Sequence, residues 1–100
     1  MTGDQNQRRG RGVNYRRNDL AYERRERNLS LEQVAKIVGI PASTLNNYER
    51  GRYVPPLIAA LKLQILYRGQ IASFYQPLYA DLTEQLRAAE LKVIGKRGSR

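Results

Sequence analysis

The sequence predicts an all-α protein: a compact helical domain, a further C-terminal helix, and a basic tail at each end. Three observations carry that expectation. Between about residues 18 and 92, apolar side chains recur three and four residues apart, the spacing of one helix face. Stop and start residues punctuate the segments so formed, among them Gly39-Ile40-Pro41, Gly51 and Pro55-Pro56. There is neither an internal repeat nor a convincing strand pair.

One hundred residues is the usual size of a single domain. Mean hydropathy is −0.65, and no apolar run approaches the ~18 residues that span a bilayer, so a soluble chain is expected. The polar, basic N-terminus does not resemble a secretory signal. Absence of cysteine and histidine excludes disulfide scaffolding, thiolate metal sites and imidazole catalysis. A reducing cytoplasm is compatible with that composition. Charge is the strongest global signal. The chain carries +9, with five basic and two acidic groups in residues 1–20 and four basic and none acidic in residues 92–100. The two ends thus hold +7. Such a distribution calls for a polyanion, nucleic acid before an anionic membrane surface.

Residues 1–17 are rich in Gly, Asn, Gln and Arg and cannot bury enough surface to offset ordering, so they read as a disordered basic arm. Residues 18–27 are helical in composition, starting at Asn18 or Asp19, with a thin apolar face of Leu20, Ala21 and Tyr22. The next helix is better marked. Ser30 is its N-cap, Gln33 completes a capping box, and Leu29 and Val34 occupy staple positions. Val34, Ile37 and Val38 form its apolar face, and Gly39 ends it in a left-handed conformation. Pro41 then suits a first helical position, Leu45 and Tyr48 share a face, and Gly51 closes this second short helix. Residues 57–67 are apolar almost all round, which predicts a helix at the centre of the core, ended by Gly69. Ile71, Phe74 and Tyr75 suggest a short turn. Pro77 starts a last helix to about Lys92, with Leu78, Leu82, Leu86, Ala89 and Val93 on one stripe. That stripe serves either as intramolecular core or as a dimer seam. The expected layout is an arm at 1–17, a domain at 18–75, a C-terminal helix at 76–93 and a basic tail at 94–100.

The two helices joined by Gly39-Ile40-Pro41 are the informative unit. Two steeply packed helices need a small residue where they cross, here Ala35, and a residue tolerant of positive φ in the turn, here Gly39. Leu45 and Tyr48 hold the second helix down. Ala42, Ser43, Thr44, Asn46, Asn47 and Arg50 are left outward, and small polar side chains and amides suit base edges and phosphates in a major groove. Arg52, just beyond, and Arg16 and Arg17, at the end of the arm, are expected to meet phosphates. Tyr53 either packs on its loop or bonds a phosphate.

The run from Leu29 to Gly51 resembles the Cro/CI, or Xre-type, helix-turn-helix of phage repressors and bacterial regulators. Leu29-Ser30, Ala35 then Gly39, Ser43-Thr44-Leu45 and Glu49-Arg50-Gly51 fall where that family has them, and the resemblance covers roughly residues 18–68. It implies a five-helix domain with the Ala42–Arg50 helix in the major groove and Ser30 near a phosphate. It also implies an internal ion pair between Arg24 and Glu49. Two departures mark this chain. Leu31 and Ala42 stand where the family's repressors often carry glutamine, so Asn46 or Asn47 is expected to make the base contacts. Pro41 stands where Ser or Thr usually caps the recognition helix, which predicts a start moved back by one residue.

These readings converge on a cytoplasmic, nucleoid-associated regulator of transcription that binds double-stranded DNA as a homodimer on a two-fold site. No catalytic residue, metal, cofactor, small-molecule effector or membrane partner is expected. The main rival is an antitoxin-like or nucleic-acid-associated adaptor that holds a protein partner through the C-terminal helix. RNA binding would rest on Arg9-Gly10 and Arg11-Gly12 alone.

Overall fold

The computed structural model describes residues 16–95, and the fold is all-α. Six helices follow one another: α1 (Leu20–Glu26), α2 (Leu31–Val38), α3 (Ala42–Glu49), α4 (Leu57–Tyr67), α5 (Ile71–Phe74) and α6 (Gln76–Ile94). The first five enclose one core, and α6 extends from it. Most of the predicted arm (residues 1–15) and tail (96–100) lies outside the described residues.

Leu20, Val34, Leu45 and Leu63 are completely buried, and each such side chain contributes ~1.5–3 kcal/mol by leaving water. Leu20 is the single buried residue of α1, so polar contacts do much to attach that helix. The backbone N–H of Leu20 donates to Asn18 Oδ1 at 3.0 Å, and the helix starts at Leu20, one or two residues later than composition suggested. Arg27, at the other end, lies over the Tyr67 ring, 5.3 Å from its centroid, and donates to the Tyr67 carbonyl and to Glu23.

The turn between α2 and α3 follows the expected geometry. Ser30 Oγ accepts from Gln33 N at 3.0 Å while Gln33 Oε1 accepts from Ser30 N at 2.8 Å, completing the capping box. Gly39 has φ +84°, and its N–H and that of Ile40 both reach the Ala35 carbonyl. Ala35 is buried, as a steep helix crossing requires. Pro41 departs from expectation. It is the N-cap of α3, in an extended conformation, and the helix starts at Ala42 without moving back. An N-cap residue supplies its carbonyl and needs no N–H, so proline fits there and forgoes only the side-chain cap; its carbonyl accepts from Thr44 and Leu45.

The expectation for α4 is corrected. Ala59, Ala60, Leu63 and Tyr67 face the core, but Leu57, Ile58 and Ile65 are each more than 70 % exposed, and Leu61 is exposed as well. Burial all round would need neighbours on every side. Lys62 instead ties one flank to α2, donating to the Val38 carbonyl at 3.0 Å, and Gln64 ties another to α5, accepting from Ile71 N at 2.9 Å. The helix ends on Arg68 in the left-handed region rather than on Gly69. Gly69 serves close approach instead, since a Cβ there would stand 2.9 Å from the Phe74 ring. Residues 71–74 form a single helical turn, α5. Leu78 of α6 packs on the core, whereas Leu82 and Leu86 are exposed and no residue of α6 is fully buried.

Candidate nucleic-acid interface

Two side chains hold α3 to the body. Leu45 is fully buried and Tyr48 nearly so. Ser43 and Arg50 are exposed, and Thr44, Asn46 and Asn47 are half-buried. Ala42 differs from the outward expectation: it is half-buried against the core. The face available to a ligand therefore begins at Ser43.

An ion pair fixes the C-terminal end of α3. Arg24 Nε meets Glu49 Oε2 at 2.7 Å and Nη2 meets Oε1 at 3.0 Å, so the guanidinium and carboxylate engage side by side. Both side chains are largely withdrawn from water, at 15 % and 6 % exposure. The hydrogen bond to Glu49 raises the Arg24 pKa above its ordinary value, against the opposing effect of burial. Arg24 Nη1 also donates to the Leu29 carbonyl at 3.1 Å. One guanidinium thus links α1, the start of α2 beside Ser30, and the end of α3. Ser30 is exposed.

The arginines gather at that same end. Asn18 Nδ2 lies within hydrogen-bond reach of the Tyr48, Glu49 and Arg16 carbonyls. Gly51, buried and at φ +75°, lets the Arg16 backbone close on it; a Cβ at residue 51 would stand 2.6 Å from the Arg16 carbonyl oxygen. Arg16 and Arg17 are accordingly anchored beside α3 rather than lost in the arm. They join Arg50 and Arg52, and all four are exposed. Glu49, the carboxylate at this end of α3, is engaged by Arg24. Arg52 Nη1 donates to Asn47 Oδ1 at 3.0 Å, which aims the Asn47 amide in the free protein. Tyr53 is exposed rather than packed on its loop.

Sequence reasoning missed Asn18 as an anchor and Gly51 as a point of close approach. Both contacts involve main-chain atoms far apart along the chain, which leave no side-chain pattern to read.

Residues 20–72 match the sequence profile of the helix-turn-helix family, over more than half of the chain. The chain belongs to the Cro/CI-type helix-turn-helix family. No curated protein matches it closely enough to add a nearer relative. The Cro/CI-type match spans α1 through the first residues of α5 and stops short of α6. Membership makes this a DNA-binding helix-turn-helix chain of a regulator family. Among the described residues no helix is long and apolar enough to cross a membrane.

Proposed function

We propose that this chain is a transcriptional repressor or activator that reads a specific duplex site with α3 in the major groove and acts as a homodimer in the cytoplasm, at the nucleoid. One observation carries the reading. Leu45, Tyr48 and the Arg24–Glu49 pair fix α3 from behind, leaving a face of Ser43, Thr44, Asn46 and Asn47 bordered by exposed arginines. Hydroxyls and amides both donate and accept, as base edges require, and arginines beside them suit phosphates. Ser30, at the start of α2, supports a further phosphate contact. No chemistry on the DNA is proposed. The stripe of Leu78, Leu82 and Leu86 supports pairing of two copies, which would present two α3 helices to a two-fold site.

Asn47→Ala and Arg50→Ala test the reading, each titrated on a preferred and a scrambled duplex across a salt series. Asn47→Ala is expected to lose ~1–3 kcal/mol on the preferred site and nothing on the scrambled one. Arg50→Ala is expected to weaken both alike and to lower the salt slope by about one contact. If Asn46→Ala and Asn47→Ala each leave the specificity ratio unchanged, α3 is not the reader. The exposed stripe on α6 would then favour the adaptor reading, in which that helix holds another protein.

A further inference from the structure

We infer that the uncovered apolar strip of α4 and the groove beside it are where a second copy of this chain sits. The inference rests on the homodimer reading above and gives that dimer a surface that the α6 stripe alone does not supply. Leu57, Leu61 and Ile65 succeed one another at one-turn intervals along α4, with Ile58 adjoining, and all four are exposed. Leu57 is one turn from Ala60, which lines an apolar groove of about 190 Å³. Val54, Ile71 and Tyr75 line it too, and Leu78, Tyr79 and Leu82 of α6 close its far side. Leu86 lies one turn beyond Leu82. Strip, groove and α6 stripe therefore form one continuous surface.

Its size identifies the occupant as a folded chain. Val54, the four residues of the strip, Tyr79, Leu82 and Leu86 are each 40 % exposed or more. Eight large apolar side chains this exposed leave an area on the order of several hundred Å², at the upper end of the largest patch on an ordinary monomer and on the scale that one partner buries in a standard interface. Composition makes the surface complementary to itself. Both halves are apolar; α4 and its cap carry Lys62 and Arg68 and no acid, while α6, whose Glu84 and Arg87 pair with each other at 3.0 Å, carries Asp81 and Glu90 against Lys92. A two-fold arrangement that lays α6 of each copy along α4 of the other brings these opposite balances together and seats apolar side chains in both grooves. α3 packs chiefly on α1 and α2, so this pairing leaves both α3 helices free.

The test is the mass of the full-length chain by sedimentation equilibrium, for the parent, Leu61→Asp/Ile65→Asp and Leu82→Asp/Leu86→Asp. All four positions are exposed, and circular dichroism verifies that each variant keeps its helix content. A parent of twice the chain mass at micromolar concentration is expected, with ~100-fold or greater weakening in either variant, the scale on which central interface side chains act. A dimer that survives Leu61→Asp/Ile65→Asp but not Leu82→Asp/Leu86→Asp overturns the inference about α4 and leaves the dimer reading intact. A monomeric parent overturns both.

Discussion

Arg24 uses three of its five N–H groups on partners in two other segments, and it is the charged side chain that holds the end of α3. Removing its carboxylate leaves a withdrawn guanidinium without a counter-charge. Glu49→Ala is therefore expected to lower unfolding free energy by ~3 kcal/mol or more in a denaturant titration. Replacing both partners by apolar residues of similar volume should recover most of that loss, because the cost lies in the stranded charge. The two buried tyrosines behave differently. Among the described residues, the hydroxyls of Tyr67 and Tyr75 have no hydrogen-bond partner. Burial favours the neutral phenol at both, and it pushes Tyr67 up to about 12 from an ordinary 10. The unfolded phenol loses its proton near pH 10 and the folded one only near 12. Stability from this source is thus complete below pH 10 and drains away as pH rises towards 12. Thermal melts of Tyr67→Phe should show a shallower alkaline decline. At neutral pH the melting temperature should be unchanged or higher, since the lost hydroxyl was unpaired and the edge-on contact with Phe74 survives.

Among the elements, α2 was the most legible, because both of its ends are written in short-range chemistry: Ser30 with Gln33 at one, Gly39 at the other. For α3, Leu45 and Tyr48 marked the inner face and hence most of the outer one; Ala42, small enough to lean on the core from its edge, was the exception. α4 could not be read this way. A helix with leucine or isoleucine on every side has no preferred face, and its orientation is decided by Lys62 reaching α2 and Gln64 reaching α5. Those are distant partners, and no local pattern announces them. α1 shows the converse. Its apolar face was too thin to predict docking, and arginines attach it. At the candidate interface, the outward polar residues of α3 were legible, whereas the arrival of Arg16 and Arg17 beside Arg50 was not.

Taken whole, the molecule places most of its net positive charge at its two ends, and one of those ends enters the fold beside α3. Removing residues 1–15 takes away Arg8, Arg9 and Arg11 while sparing the anchored Arg16 and Arg17. Affinity should fall by a similar factor on every duplex, and the salt slope should drop by at most ~2.7, the share of three phosphate contacts. Fluorescence anisotropy on specific and scrambled duplexes measures both quantities. A changed sequence preference would mean that the arm reads a groove. The joint between arm and domain bears on how such a protein can change over time. Gly51 meets Arg16 through Cα, the carbonyl carbon and its oxygen, atoms that every residue possesses. The socket is therefore indifferent to the side chain it receives and intolerant of any side chain of its own. Leaders of other length or composition spliced on ahead of Arg16 would be seated at the same spot, whereas a side chain at residue 51 would close it.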